Sequence, residues 1–153
     1  MTKEPAFDKE TAHKFFSANC FNSAWQYIEN SDRTDDEDQR MISLAHASVW
    51  HWTQRSDCTA NNLSIGYWQL SRVYALLGQA DNAKRYAKLC LDITPDDELF
   101  LIGYGHEALA RAEMVGGTTE KMNEHLTEAK RLADCIADAQ DKELLVNDLN
   151  TIK

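Results

Sequence analysis

The sequence predicts an all-α protein made of antiparallel helical hairpins. Three observations carry this. The 153 residues include only 2 Pro and 6 Gly, so long stretches run without a helix breaker. Apolar residues recur three and four positions apart through most of the chain, which places them on one face of a helix. No run alternates apolar and polar residues in the manner of a half-buried strand, and β-branched residues are sparse. A chain of this length suits one domain and buries roughly 68–70% of its unfolded surface, enough for a core. The expectation is a single domain over 1–153, with hairpins at about 8–55, 61–93 and 96–138 and a capping helix at about 142–152.

The first helical region covers 8–30, where Phe15, Phe16, Phe21, Trp25 and Ile28 supply apolar surface with Ala12, Ala18 and Ala24 between them. Asn19-Cys20-Phe21-Asn22 is weak helix sequence, so a bend or a split is expected there. Phe7, Phe15 and Phe16 leave two readings open: a homo-oligomer contact through a Phe-rich N-terminal helix, or a packed end helix. The acidic stretch 31–38 joins this region to the next. In it Thr34 and Glu37 fit a capping box, and the acids suit the positive end of a helix dipole. The stretch lacks the central Gly and the closing Glu of a calcium loop.

The second helix, 36–55, places Met41, Leu44, Ala45, Ser48 and Trp52 on one side, and Ile42, Val49 and Trp50 broaden it. A helix apolar nearly all round packs on two sides. Helices over 61–78 and 81–93 follow. Leu70, Tyr74 and Leu77 repeat on one, Ala83, Ala87, Cys90 and Leu91 on the other, and Gly78 closes the first. Thr94-Pro95-Asp96-Asp97 then reads as an N-cap, a Pro at the first helical position and acids in the first turn. That helix runs to about Val115 and ends at Gly116-Gly117. Thr118 or Thr119 caps the next, where Met122, Leu126, Ala129 and Ala133 share a face. Asp141 opens a short last helix with Leu145, Leu149 and Ile152 on one side.

Charge narrows the function classes. The net charge is −9 and the pI about 4.9, which argues against nucleic acid as a partner, because such binding rests on cations displacing phosphate counterions. No basic amphipathic stretch suggests a membrane surface. The start, MTKEPAFDKE, has no apolar signal region, and no apolar run approaches the ~20 residues that span a bilayer. The default expectation is cytoplasmic. Cys20, Cys58, Cys90 and Cys135 are widely spread with no C-x-x-C. They read as reduced thiols used as small hydrophobes in preference to disulfides or zinc ligands.

Tyr67, Leu70, Tyr74, Leu77-Gly78, Ala83, Cys90 and Pro95 fall in an order and spacing that resembles a tetratricopeptide repeat (TPR) of about 34 residues. The match departs from the pattern at Ser71, Ala87 and Cys90, where Gly, an aromatic and Ala are usual. A shift of one repeat places Leu101, Tyr104-Gly105 and Ala108 at equivalent positions. The resemblance implies a short right-handed TPR-like solenoid, an α-solenoid whose C-terminal helix caps it. The chain is also similar to a bacterial TPR-like family carrying an AHAS-x-x-HW helix, here Ala45–Trp52, and a W-Q-x-S-R-V-Y-A-x-L-G helix, here Trp68–Gly78. That resemblance attaches no activity.

In TPR proteins the first helix of each hairpin lines a groove. Carried over, the lining residues are Ile65, Trp68, Arg72, Ala75 and Leu76, and one repeat on Leu99, Ile102, His106, Leu109 and Ala110. Trp68 and Arg72 lie four apart on one face, and the repeat makes His106 a neighbour of Arg72. Trp offers flat apolar area and Arg a two-pronged donor for a carboxylate. The implied function is a protein- or peptide-binding helical-repeat module whose partner segment carries a carboxylate. The competing reading pairs Arg72 with an internal acid and packs Trp68.

His46 and His51 are five apart and diverge by roughly 140° around the axis, too far for one metal. His46 fits a core histidine, yet His46, His51 or Trp52 border the patch if this helix packs beside the next. The alternative function is a small-molecule pocket for an anionic or aromatic ligand, between helices two, three and five, lined by His46, Trp52, Trp68 and Arg72. No Gly-x-Ser-x-Gly elbow and no phosphate loop occurs, so no catalytic residue, metal or cofactor is expected. If Arg72 lies on an open groove, Arg72→Ala abolishes partner binding and leaves stability within about 1 kcal/mol.

Overall fold

A computed structural model describes residues 6–153. Among them are seven helices and no strand: α1 (Lys9–Ile28), α2 (Asp35–Thr53), α3 (Ala60–Leu76), α4 (Ala80–Ile93), α5 (Leu99–Gly116), α6 (Thr119–Asp134) and α7 (Ala139–Leu149). None of these helices is long and apolar enough to cross a membrane. The chain divides into two compact units, one ending at Cys58 and one covering Thr59–Lys153.

The first unit is the hairpin α1–α2. Ser48 donates to the Ser17 carbonyl at 2.8 Å, His13 meets His51, and the Ser56 hydroxyl donates to Glu10 at 2.9 Å. As residue numbers rise along one helix they fall along the other, so the two run antiparallel. Small buried residues, Ser17, Cys20 and Ala24 on α1 and Ala45 and Ser48 on α2, allow the helices to approach. The capping box forms as expected. The Thr34 hydroxyl accepts from the Glu37 N–H at 3.3 Å, and Glu37 accepts from the Thr34 N–H at 2.8 Å. Arg33 ties the ends together, donating to Asp38 at 2.7 Å and to the Tyr27 and Asn30 carbonyls at 3.1 and 2.6 Å. The split expected at Asn19–Asn22 does not occur, and α1 is a continuous helix. Packing of Cys20 and Ala24 outweighs a propensity penalty of at most ~0.7 kcal/mol per residue.

The second unit begins with the hairpin α3–α4. Gly78 turns the chain at φ +71, with its N–H on the Ala75 carbonyl (3.0 Å) and the Gln79 N–H on the Tyr74 carbonyl (2.9 Å). This is the paired-bond C-terminal motif that a left-handed glycine permits. Ser71, at the position where the repeat pattern has Gly, is buried and donates to the Ala83 carbonyl at 2.8 Å. Ala83, Ala87 and Cys90 are also buried, which keeps α4 close to its neighbours.

The start of α5 differs from expectation. Thr94 does not cap it. Its hydroxyl donates to the Cys90 carbonyl at 2.6 Å and meets the Ser64 hydroxyl at 2.7 Å. With that side chain committed to the end of α4, residues 95–98 form a turn, the Glu98 N–H reaching the Pro95 carbonyl at 3.1 Å, and α5 starts at Leu99.

Helix α5 is the centre of this unit and packs on α3, α4, α6 and α7. Gly103, Gly105, Ala108, Ala110 and Ala112 make that crowding possible. Gly117 (φ +77) ends the helix, and α6 and α7 close the core, with Met122, Leu126, Ala129 and Ala133 meeting Leu145, Leu149 and Ile152. A β-carbon on Gly105 would stand 2.3 Å from Leu91 Cδ2 and 2.7 Å from its Cγ, so rotating one methyl does not relieve the clash. Gly105→Ala is therefore predicted to lower stability by about 1–3 kcal/mol, measured by urea denaturation.

Candidate functional site

The Trp68–Arg72 face of α3 meets α5 at Glu107, a carboxylate only 1% exposed. Glu107 accepts from Trp68 Nε1 at 2.9 Å and from Arg72 at 3.2 Å. One turn along α5, Arg111 donates to it through Nε at 2.9 Å and a terminal nitrogen at 2.6 Å. A second acid completes the set from α7: Asp148 lies 3.8 Å from Arg72 and accepts from the Tyr104 hydroxyl at 2.6 Å. Arg111 also donates to Thr151 at 2.8 Å.

The formal charges balance, two guanidiniums against two carboxylates. Burial draws the Arg72 guanidinium below its usual pKa, against the pull of Glu107 and Asp148. Burial, and then the bond to Asp148, holds the Tyr104 phenol far above its ordinary value, so it remains a donor.

This arrangement changes the expected site. Trp68 and Arg72 do converge, as their spacing predicts, but on an internal carboxylate. His106 is not beside Arg72. It turns to α6, where its Nδ1 lies 3.2 Å from Nδ1 of His125. Adjacent helix positions differ by about 100° in direction, so Glu107, one residue on, occupies the place assigned to His106. Ile65 is exposed on α3 at 38%, and Ile102 is half-buried on α5.

The remaining candidates, His46, His51 and Trp52, belong to α2 in the first unit, so they and the Trp68–Arg72 pair fall in different units. His51 pairs with His13 through Nδ1 atoms 2.8 Å apart, Trp52 lies 3.8 Å beneath the Arg55 guanidinium, and His46 is half-buried. Burial lowers the pKa of His46, His51, His106 and His125. The facing imidazole lowers His51 and His106 further.

Sequence reasoning missed Glu107, Arg111, Asp148 and both histidine pairs. One signal was present: Glu107 and Arg111 are oppositely charged residues four apart in a mostly apolar helix, a pairing geometry. Nothing local marks Asp148 or His125.

A different kind of surface lies on the first unit. Phe7, Phe15, Phe16 and Trp50 are 60%, 59%, 43% and 55% exposed. Phe15 packs against Phe16 at 5.1 Å between ring centroids, Phe16 against His51 at 5.4 Å, and Trp50 against His51 at 4.9 Å and His13 at 5.4 Å. Phe15, Phe16, His13, His51 and Trp50 form one connected aromatic surface across α1 and α2. Compared with protein-family models, curated proteins and solved structures, the chain matches none.

Glu107→Ala leaves Arg72 and Arg111 facing each other in a buried setting. It should lower stability by about 3–5 kcal/mol, while Arg72→Ala should cost more than the ~1 kcal/mol of a surface change; chemical denaturation of both variants is the measurement. The histidines set a pH dependence. A lowered pKa in the folded state means the unfolded chain binds protons first, so stability is full above the unfolded histidine value of about 6.5 and falls as pH drops below it. The melting temperature should decline from pH 7 toward pH 5, and less steeply in His106→Gln.

Proposed function

We propose that this chain is a non-catalytic protein-binding module of helical hairpins, TPR-like in its second unit, that docks a second copy of itself through the aromatic face of α1 and α2. One observation carries the reading: three large aromatic side chains of a single hairpin, Phe15, Phe16 and Trp50, stand 43–59% exposed and join through ring contacts with His13 and His51. Contiguous exposed apolar surface of this kind marks interaction sites in folded proteins. The TPR-like description rests on the α3–α4 hairpin, its Gly78 turn and the small buried face of Ala83, Ala87 and Cys90.

A second copy is the occupant that the surrounding chemistry suits. Aromatic rings pack edge-to-face on rings of their own kind. Both signs of charge flank the patch on α1, where Lys14 lies 3.9 Å from Glu10. A twofold axis repeats each contact in reverse, so Lys14 of one copy can face Glu10 of the other without opposing like charges. A carboxylate-bearing peptide at Arg72 is not part of this reading, because Arg72 already faces Glu107 and Asp148.

Light scattering across a concentration series tests the proposal. The expected result is a mass rising from monomer to dimer for the native chain, and a monomer for Phe16→Glu and Trp50→Ser, with melting curves that match the native chain at dilutions where it too is monomeric. A native chain that stays monomeric at high concentration overturns self-docking and points to another protein as partner. Dimerisation that survives both substitutions places the interface elsewhere.

A further inference from the structure

The two histidine pairs have different geometries. An ion bound tetrahedrally by two imidazoles, each nitrogen ~2.0–2.1 Å away, holds those nitrogens about 3.3 Å apart. In the first unit the His13 and His51 Nδ1 atoms are 2.8 Å apart, shorter than that span and matched to an N–H···N hydrogen bond. In the second unit the His106 and His125 Nδ1 atoms are 3.2 Å apart, at the long end of hydrogen-bond range and close to the span of a bound ion, and their rings tilt by 31°.

We propose that His106 and His125 form a two-imidazole site for a divalent transition-metal ion such as zinc or nickel, bridging α5 and α6. Neutral imidazole is the ligand form that such ions take. Burial favours the neutral state in both rings. When the ion binds, the ring that donates in the N–H···N contact carries its proton at Nε2, and both Nδ1 lone pairs face the metal.

The charged surroundings are mixed. Glu128 and Arg131 act on His106, and Glu113, Glu124, Lys84 and Lys121 act on His125. Glu113 is held by Lys84 at 2.7 Å and Glu128 by Arg131 at 2.6 Å. No group of three or more His, Cys, Asp or Glu among the described residues is arranged to hold a metal. Water therefore fills the remaining positions, and the site is an exchangeable clamp, unlike a closed structural zinc centre. An ion that bridges two helices binds only the folded state and so raises its stability by mass action.

The test is a thermal melt with and without Zn²⁺ or Ni²⁺, at a pH above the histidine range, on the native chain and on His106→Gln, His125→Gln and His13→Gln. The native chain and His13→Gln should melt higher with metal and return to baseline with chelator, with Mg²⁺ giving no shift. Both His106→Gln and His125→Gln should lose affinity by more than about tenfold. No shift in the native chain, or an equal shift in both of those variants, overturns the site. So does loss of the shift only in His13→Gln, which would assign the metal to the other pair. Electron paramagnetic resonance of Cu²⁺ on the native chain needs no substitution; coupling to two imidazole nitrogens is expected, and fewer than two rejects the clamp.

Discussion

A single buried carboxylate governs the second unit. An ionised group removed from water costs several kcal/mol unless it is paired and hydrogen-bonded, and Glu107 is 1% exposed. The requirement is met from three helices. Trp68 and Arg72 reach it from α3, Arg111 from α5, and Asp148 on α7 shares the positive charge of Arg72. The same contacts that satisfy the acid fix the rotation of α3 and α7 about α5. A purely apolar face at this place would tolerate sliding, whereas donors with fixed directions do not.

The other sides of α5 meet the opposite demand. Against α4 and α7 the helix needs closeness, which Gly105 and Gly103 supply by leaving no room for a β-carbon beside Leu91 and Leu145. Ala108 and Ala112 continue that stripe against Ala87 and Ala83. Near its end the helix carries a second buried acid, Glu113, held by Lys84 of α4 at 2.7 Å. Burial raises the Glu113 pKa, but the bond and charge of Lys84 outweigh it and leave the group below its usual value. Small residues bring the helices together, and two charged braces then decide their register.

The first unit distributes its side chains in reverse. Apart from Met41, its buried contacts are made by small residues such as Ser17, Ala24, Ala45 and Ser48, while Phe15, Phe16 and Trp50 face outward. A hairpin folding only for itself would gain more by burying the rings, at roughly 25 cal/mol per Å². The aromatic surface is the reason the functional reading rests on α1 and α2 and not on the Arg72 face.

Much of the architecture was legible in the sequence. The all-helical class, the capping box at Thr34 and Glu37, the Gly78 and Gly116-Gly117 stops and the apolar stripe of α6 are local, set by spacing of a few residues and by backbone groups that need caps. The exceptions, an unbroken α1 and a Thr94 that ends α4, arise where a tertiary contact overrides local preference. The candidate site was only half legible. Trp68 and Arg72 share a face whatever surrounds them, because their spacing of four fixes it. What they face was not legible, since an alignment error of a single residue turns a side chain by about 100° and exchanges Glu107 for His106. The sequence by itself determined which segments are helices and which residues share a face. The tertiary structure alone decided that Arg72 meets Glu107 and Asp148, and that His106 meets His125, because those partners lie 19 or more positions away and only packing brings them within reach.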